Sequence, residues 1–226
     1  MNFVVIDVET ANCDLSSICQ VGIASFSDGI LHGIWESLVN PEDDFDPINV
    51  SIHGIDEEKV RFSPKWGVVY SKVSSLLQGN IVVSHTDFDR VALLRACEKS
   101  NLAHCECQWL DSAKVVRRAW PMFSRSGYGL SNVASQFGIQ YKQHDALEDA
   151  RCAGEILLRA ITESGLSVEE WLERVKHSID PTLAQPVIRH ANPDGSLYGE
   201  ALVFTGTLSM SRSQAADAAS VVGCEV

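Results

Sequence analysis

The feature that most constrains the fold is the first apolar segment, which leads directly into two acids. Residues 2–8 predict a buried strand, because Phe3 to Ile6 are all apolar. Asp7 and Glu9 are two residues apart, so on a strand their side chains project from the same face. Two neighbouring carboxylates repel each other and are costly to desolvate. On this pattern alone two interpretations stay open: both acids face water at the strand end, or their oxygen atoms hold divalent cations.

The order of the later elements predicts an α/β domain. Two more strands follow the first, at 18–26 and 30–39, and a short turn containing glycine joins them. Helices and short strands then alternate: helices from Pro64 and at 88–99, 111–120, 130–137, 145–163 and 168–175, with strands at 81–84 and 108–110. This order indicates a mixed sheet flanked by helices. Residues 40–63, rich in Pro, Asp and Asn, predict a long irregular loop.

The composition changes near residue 178, which predicts a domain boundary. Residues 178–198 contain prolines and few large apolar side chains, so we interpret them as a linker after a domain of residues 1–177. In the remaining segment, 199–226, residues 201–204 predict a strand, 205–207 a tight turn and 212–222 a helix. A segment of about 30 residues cannot bury a core alone. We expect either the truncated start of a second domain or a tail that docks on the first.

Charge and cysteine content limit the function classes. The net charge of −12 argues against a broad basic surface, so any nucleic acid would be held locally, by a few Lys and Arg or by metal ions. The seven scattered cysteines are not a disulfide framework. No apolar run is long enough to span a membrane and no signal peptide is evident, so we expect a cytoplasmic protein. One cluster of zinc-type ligands, residues 104–107, lacks a second cluster, which favours a loop.

Further acids fall where an α/β sheet would bring them near the first pair. Asp89 begins the helix after the strand at 81–84, and the carboxyl ends of neighbouring strands converge on one crevice. The alternative is an acid that complements the helix dipole, a role that suits Asp87 better. Asp89 is followed by apolar residues at i+3, i+4 and i+7, so it lies on or beside the buried face.

The last group of candidates lies at the start of the long helix. Asp145 is a good N-cap, and Asp149 adjoins the apolar stripe of that helix, so it points toward the core or a cleft. His144 lies in the loop just before the helix. A histidine titrates near neutrality and can take a proton from water in catalysis. Taken alone, His144 is better interpreted as a solvent-exposed capping residue.

Together these acids and the histidine resemble the DEDDh 3′–5′ exonuclease family, which includes polymerase proofreading subunits and ribonuclease T. The resemblance covers residues 1 to about 165. Its matching segments are V-I-D-V-E-T at 5–10, H-G-I at 53–55, S-H-T-D-F-D at 84–89, G-L-S-N-V-A at 129–134 and H-D-A-L-E-D-A at 144–150. Each segment is a weak signal, and their order and spacing carry the resemblance. It implies a ribonuclease-H-like fold and phosphodiester hydrolysis assisted by two Mg²⁺ or Mn²⁺ ions.

The resemblance also implies roles for individual residues. The metal ligands would be four acids: Asp7, Glu9, Asp89 and Asp149. His144 would be the general base that deprotonates the attacking water. Thr10 and His53 would lie near the terminal nucleotide, and Ile55 would supply an apolar contact to the base or sugar.

One segment departs from the family pattern H-N-A-x-F-D. Here Thr86 and Asp87 stand after His85, where the family often has Asn and Ala. The change removes an amide that can hold the loop or the substrate, and it adds a negative charge close to the site. We expect substrate preference or loop geometry to differ, while the catalytic set is complete.

The C-terminal segment resembles the first strand, turn and helix of a BRCT domain of the bacterial ligase type. The matching residues are 199–208 and 210–212. The resemblance implies a longer natural protein and a protein partner. The alternative is an unrelated strand–turn–helix tail.

The sequence therefore predicts a metal-dependent 3′–5′ exonuclease acting on single-stranded or frayed nucleic-acid ends, in DNA repair or replication. One alternative is a non-catalytic module that binds nucleic-acid ends and is tethered to a repair assembly through the BRCT-like region. Another is a phosphoesterase for small molecules. The residue pattern does not distinguish DNA from RNA, since that choice depends on the shape of the pocket around the 2′-hydroxyl. It also leaves the oligomeric state open.

Overall fold

The structure, a computed structural model, describes residues 2–179, 189–204, 210 and 212–225. The chain divides into two compact units, Met1–Ile179 and Asp180–Val226. The first unit holds the sheet and most of the helices. None of the helices in the described residues is long and apolar enough to cross a membrane.

The sheet of the first unit has five strands in the order β3-β2-β1-β4-β5. The strands are β1 (Asn2–Thr10), β2 (Ile18–Ser27), β3 (Ile30–Leu38), β4 (Ile81–Ser84) and β5 (Gln108–Asp111). Strands β1, β2 and β3 form an antiparallel meander, while β4 and β5 run parallel to β1. The predicted mixed sheet of a ribonuclease-H-like fold is confirmed.

Helices connect and cover the strands. In the first unit they are α1 (Pro47–His53), α2 (Glu57–Val60), α3 (Trp66–Leu77), α4 (Phe88–Lys99), α5 (Ser112–Ala119), α6 (Leu130–Phe137), α7 (Ala146–Ser164) and α8 (Val168–Arg174). A 3₁₀ turn spans Pro121–Phe123, and α9 (Arg212–Val221) lies in the second unit. Asp145 caps α7 as predicted, since its side chain accepts the Glu148 N–H, and Asp111 caps α5 by accepting two first-turn N–H groups.

Alternate residues of β1 enter different cores. Phe3 and Val5 pack with α5, α6 and α7 on one face of the sheet, whereas Val4, Ile6 and Val8 pack with α3 and α4 on the other. Because strand side chains alternate, Asp7 and Glu9 continue the row of Phe3 and Val5. The two acids therefore face the layer that contains α7.

Helix α7 packs unusually close to the sheet at two glycines. A Cβ on Gly22 of β2 would lie 2.2 Å from the Ala146 carbonyl carbon at the start of α7, and Gly22 is the β2 partner of Asp7. Farther along the helix, a Cβ on Gly154 would lie 2.2 Å from the ring of Phe26. The missing side chains let the first turn of α7 rest against the strand next to Asp7.

The prediction that residues 40–63 form an irregular loop is wrong, because α1 and α2 lie within this segment. Helix α1 has Asp46 as N-cap, Pro47 at its first turn and Gly54 in the left-handed conformation at its end. These are local helix signals. The Pro, Asp and Asn content of the segment outweighed these signals in the prediction, and Ile48 and Ile52 of α1 are exposed in the structure.

Two other predicted elements differ from the structure. The helix expected from Pro64 begins at Trp66, because Lys65 is extended and bridges to Asn40. The strand expected at 201–204 is wrong: Ala201 makes an isolated bridge to Glu225, and the next three residues join no ladder. The tight turn expected at 205–207 lies outside the described residues.

The close approach at Gly22 gives a testable consequence for stability. Gly22→Ala should lower the free energy of unfolding by about 3 kcal/mol, because the new methyl group overlaps the backbone of α7. Urea denaturation followed by circular dichroism measures this loss. The matched control is Gly33→Ala on β3, where a new Cβ meets nothing within 4 Å and the change should stay within about 0.5 kcal/mol. Equal costs for the two variants would contradict the packing of α7 on β2.

Candidate active site

The site begins where two parallel strands separate. Strands β1 and β4 are paired at Val4–Val82 and Val5–Val83, and beyond these residues they diverge. The backbone N–H of Val8 instead donates to Asp89 Oδ1 at 3.0 Å. Asp89, at the start of α4 and 3% exposed, is thereby held beside the end of β1.

A cleft opens at this point of the sheet. The predicted catalytic residues line it together with neighbours from β1, the β4–α4 loop and α6, namely Asp7, Val8, Glu9, His85, Thr86, Phe88, Asp89, Leu130, His144 and Asp149. The five side chains that the sequence singled out come from three separate segments of the chain. The fold therefore brings them to one open surface depression.

The first turn of α7 supplies the other side of the cleft. Gln20 of β2 accepts a hydrogen bond from the Ala146 N–H through its side-chain oxygen, at 3.3 Å, which adds to the contact at Gly22. Just before the helix, His144 adopts a left-handed backbone conformation with φ of 58°. Such a conformation is uncommon for a residue other than glycine and occurs often at functional sites. His144 is exposed, whereas Asp149 is 8% exposed.

Three of the five side chains already have the spacing of a metal centre. A carboxylate oxygen of Glu9, one of Asp149 and a ring nitrogen of His144 all lie within 4.8 Å of one another. Asp7 and Asp89 complete the acidic lining of the same cleft. Carboxylate oxygens are the ligands that Mg²⁺ and Mn²⁺ prefer.

The cleft favours the protonated forms of its acids when no cation is bound. Burial raises the pKa of Glu9 to about 8, and the charges of Asp149 and Asp89 add to the effect. Burial likewise raises the pKa of Asp89 to about 7 and that of Asp149 to about 6. The pKa of Asp7 is raised well above its usual value, first by burial and then by Asp89, Asp149 and Glu9.

This electrostatic state fits a divalent cation site. Four acids packed this closely cannot all ionise without compensating positive charge. A bound divalent cation would supply that charge and favour loss of the protons. The donor set present in the cleft is therefore suited to hard divalent cations.

The residues predicted to contact the terminal nucleotide form a hydrogen-bond network at the end of β1 and are not among the residues that line the cleft. His53 Nδ1 accepts the Ile55 N–H at 3.0 Å, and Nε2 lies 3.2 Å from the Thr10 carbonyl oxygen. Because a carbonyl can only accept, the ring carries its proton on Nε2. Asn49 of α1 also donates to the Thr10 carbonyl, at 2.9 Å. The end of β1 is thus tied to α1.

The side chains of Thr10 and Ile55 are mostly inaccessible. Thr10 is 4% and Ile55 is 5% exposed, and Ile55 packs in a small core with Ala11, Cys19 and Val60. The contact of Ile55 with a base or sugar stays a prediction, and this burial disfavours it. Two other apolar side chains that line the cleft, Phe88 and Leu130, were not selected from the sequence.

His85 was also missed, although it lines the cleft. Its Nε2 donates to the Tyr128 carbonyl oxygen at 2.8 Å, and its Nδ1 lies 2.9 Å from the Ser112 hydroxyl oxygen. Burial lowers the pKa of the ring, which favours the neutral form. His85 therefore links the β4–α4 loop to the segment before α6.

The two residues that depart from the family pattern have defined contacts. Thr86 has a φ of 89°, and its N–H donates to Asp111 Oδ1 at 3.2 Å. Asp87 occupies the N-cap position of α4 without capping it, and its carboxylate instead lies 3.4 Å from Lys114 Nζ. The hydrogen bond from the Thr86 N–H to the Asp111 carboxylate thus anchors this loop. Lys114 partly neutralises the charge of Asp87.

The cysteines singled out in the sequence lie elsewhere, on the loop before β5. The Sγ atoms of Cys105 and Cys107 are 3.8 Å apart. Within the described part of the chain, the group of three metal-ligating side chains that meets the spacing of a metal centre is that of Glu9, His144 and Asp149.

Comparison with known proteins gives one family match. The family model described as exonuclease, RNase_T, matches residues 4–157. This range contains β1 from its third residue, all of β2 to β5, and all the residues that line the cleft.

Three relatives illustrate the similarity. A DNA polymerase III PolC-type protein of Thermotoga petrophila is 26% identical over 191 residues, which are 81% of this chain and 14% of that protein. A DNA polymerase III subunit epsilon of Treponema pallidum is 24% identical over 188 residues, 80% of this chain and 85% of that one. The structure of exonuclease X with 5′-overhanging duplex DNA superposes with a TM-score of 0.62 and 20% identity, covering 76% of this chain and 99% of that one.

The acidic cleft should make stability depend on pH when divalent cations are removed. The folded protein keeps a proton on Glu9 up to a pKa of about 8, whereas the unfolded chain releases it near 4.5. The free energy of unfolding in EDTA should therefore fall as the pH rises from 5 to 8. Glu9→Gln removes this titration and should raise Tm at pH 8 by about 2–5 °C, measured by thermal denaturation.

The matched control is Glu98→Gln, an exposed acid on α4, which should leave the pH profile of the parent unchanged. A parent Tm that stays constant or rises between pH 6 and 8 in EDTA would contradict the crowding of these carboxylates.

Proposed function

The chain belongs to the DEDDh 3′–5′ exonuclease family, a family of phosphodiesterases, and we propose that it removes nucleotides from the 3′ ends of single-stranded or frayed nucleic acid. The products would be nucleoside 5′-monophosphates. The observation that carries the proposal is the convergence of four acids and one histidine on a single open cleft. The spread of these residues over three distant segments makes a chance cluster a poor explanation.

The proposed metal ligands are the carboxylates of Asp7, Glu9, Asp89 and Asp149. Two Mg²⁺ or Mn²⁺ ions bound there would supply neutralisation of the charge that develops on the phosphate and on the leaving 3′-oxygen. The raised pKa values of these acids support this assignment, because the cleft stores protons that cation binding would release. The hydrogen bond from the Val8 N–H fixes one of the ligands, Asp89, independently of any ion.

His144 is the proposed general base. Its ring nitrogen lies within 4.8 Å of carboxylate oxygens of Glu9 and Asp149, and its exposed position lets it exchange the proton with solvent. In this role it removes a proton from the attacking water as the phosphodiester bond breaks. His144 has a left-handed backbone conformation and immediately precedes Asp145, the N-cap of α7.

Substrate positioning would depend on the rest of the cleft. Phe88 is 41% exposed and adjoins Asp89, and Leu130 lines the same surface, so together they offer apolar contact to a terminal base or sugar. Thr10 and His53 would act mainly by holding the end of β1, since both ring nitrogens of His53 are engaged with the backbone. The proposal covers both DNA and RNA as substrates.

The names of two relatives point to DNA replication. They are a PolC-type polymerase and an epsilon subunit of DNA polymerase III. This chain matches 14% of the length of the PolC-type protein, so a role in replication or repair is part of the proposal. The net charge of −12 suits brief binding of a chain end better than a long grip on duplex DNA.

We also propose that residues 199–226 are the N-terminal part of a BRCT-like module that binds a protein partner. Support comes from α9, which lies where the resemblance expects a helix, and from the backbone bonds Leu202 N–H to Glu225 O and Glu225 N–H to Glu200 O, each 2.8 Å. The absence of a strand at 201–204 weakens the likeness.

Asp89→Asn tests the catalytic assignment without breaking the local fold. An asparagine oxygen can still accept the Val8 N–H, but it carries no charge for a cation. Release of mononucleotides from a labelled oligonucleotide in Mg²⁺ or Mn²⁺ should fall at least about 100-fold, equivalent to roughly 3 kcal/mol of transition-state stabilisation. EDTA should abolish the activity of the parent.

Glu98→Gln, on the same helix as Asp89 but exposed to solvent, should keep the parent rate. Two other results for the parent protein would identify a different function. A parent that binds oligonucleotides without cleaving them would be an end-binding module. A parent that cleaves p-nitrophenyl thymidine monophosphate but ignores oligonucleotides would be a phosphoesterase for small molecules. Undiminished degradation by Asp89→Asn would overturn the assignment of the site.

Hydrogen exchange tests the order of the C-terminal segment. The amides of Leu202 and Glu225 should exchange at least about tenfold more slowly than unprotected amides, because each donates a backbone hydrogen bond. Nuclear magnetic resonance on the whole chain measures both rates. The internal comparison is Val203, which is 85% exposed and joins no ladder. Equal rates at all three positions would remove the structural support for a BRCT-like module.

A further inference from the structure

The acidic cleft poses a problem for a substrate that is itself an anion. The whole chain has a net charge of −12, and four carboxylates line the cleft. A phosphodiester strand approaching this surface is repelled over about 8–10 Å at physiological salt. Divalent cations inside the cleft would offset that repulsion for the terminal phosphate, but the phosphates of the preceding nucleotides would lie outside it.

Positive side chains lie on α5 and on the loop before α6, next to residues that contact the lining of the cleft. Lys114 and Arg117 are one turn apart on α5, at i and i+3, so their side chains emerge on the same side of the helix. Arg125 is exposed on the segment between the 3₁₀ turn and α6. We refer to Lys114, Arg117 and Arg125, with Tyr128, as the cationic rim.

Two series of contacts connect Lys114 and Arg117 to the cleft, and Arg125 lies near them in the chain, three residues before Tyr128. Lys114 Nζ lies 3.4 Å from both Asp87 and Asp111, and Asp111 accepts the N–H of Thr86, which lines the cleft. Arg117 stacks over the ring of Tyr128, with its Cζ 4.8 Å from the ring centroid. The Tyr128 carbonyl in turn accepts a hydrogen bond from His85, which also lines the cleft.

The rim is held in place by the backbone of its own loop. Arg117 Nε donates to the Ser124 carbonyl at 3.2 Å, so α5 is fastened to the start of the loop. Asn132 Nδ2 donates to the Gly127 carbonyl at 2.6 Å, and Gly127 has a φ of 74° that favours glycine. The arginine groups are therefore displayed from an anchored segment.

The charges of this rim are only partly neutralised. Lys114 is paired with two acids. Among the residues that the structure describes, no carboxylate lies within 4.0 Å of the guanidinium groups of Arg117 and Arg125. A guanidinium with free N–H groups is well suited to phosphate oxygens.

We propose that the cationic rim binds the phosphodiester backbone of the nucleotides that precede the 3′-terminal one. This inference rests on the proposed function, because it assumes that the terminal nucleotide occupies the cleft. Backbone contacts of this kind carry little sequence information, so the rim would accept single-stranded DNA and RNA alike. They would make affinity depend on strand length and salt.

The test removes two charges that lie outside the acidic network. The double variant Arg117→Gln/Arg125→Gln leaves Lys114 and its two acid partners intact. Binding is measured by fluorescence anisotropy with labelled 20-nucleotide dT and rU oligomers, in the Asp89→Asn background with Mg²⁺, from 50 to 200 mM KCl. We expect about tenfold weaker binding at 50 mM. The slope of log affinity against log salt should decrease by about 1.4, or 0.7 for each lost contact to a single strand.

Two control proteins separate a local contact from a general effect of charge. Lys72→Gln removes one exposed positive charge from α3, which covers the opposite face of the sheet, and should bind like the parent. Arg117→Lys/Arg125→Lys should recover most of the affinity and the full salt slope. The proposal would be overturned if the double Gln variant and its Asp89→Asn parent bound with equal affinity and equal salt slope. Equal weakening of binding by Lys72→Gln, or no binding by the Asp89→Asn parent, would also overturn it.

Kinetics in the wild-type background distinguish this proposal from the proposed function. For the oligomers, the double Gln variant should raise KM about tenfold and change kcat less than twofold. Hydrolysis of p-nitrophenyl thymidine monophosphate, which is too small to reach the rim, should be unchanged. Equal losses on both substrates would indicate damage to the cleft and would reject the rim. If the parent hydrolyses neither substrate, the proposed function fails, and the anisotropy result still decides the rim.

Discussion

Mutual repulsion among four carboxylates is the constraint on which this structure depends. Asp7, Glu9, Asp89 and Asp149 share a cleft in which burial and neighbouring charges raise all of their pKa values. Such an arrangement costs stability, so it persists only where other contacts of the fold hold the acids together or where bound cations offset the repulsion. The surrounding fold supplies such contacts, and they do not involve the carboxylates of β1 themselves.

Three groups of contacts hold the acids in place. The parting of β1 from β4 frees the Val8 N–H, which then holds Asp89. Gly22 removes the side chain that would keep the first turn of α7 away from the sheet, so Asp149 can approach the row of acids on β1. His53 and Asn49 fix the carbonyl of Thr10 at the end of that strand. The grouping of acids that the proposed activity requires therefore lowers the stability of the cation-free protein, and bound cations would restore that stability.

The parts of the site that follow from local periodicity could be predicted from the sequence. Alternation along β1 placed Asp7 and Glu9 on one face, and the apolar stripes of α4 and α7 placed Asp89 and Asp149 beside the core. Contacts between distant segments left no such signal. The bond from His85 to Tyr128 spans 43 residues, and nothing local marks Gly22 as the point where α7 meets β2. The short helix α1 was missed because it lies in a segment rich in Pro, Asp and Asn, and none of its residues is buried.

The central claim is that the cleft gathers divalent cations around these four carboxylates. Anomalous X-ray diffraction from crystals grown with Mn²⁺ and a nucleoside 5′-monophosphate tests it most directly, because manganese is located without reference to the fold. The account predicts two anomalous peaks between Asp7, Glu9, Asp89 and Asp149, at coordination distances of about 2.0–2.4 Å from their oxygen atoms. Manganese bound elsewhere, with no peak within reach of these side chains, would contradict it.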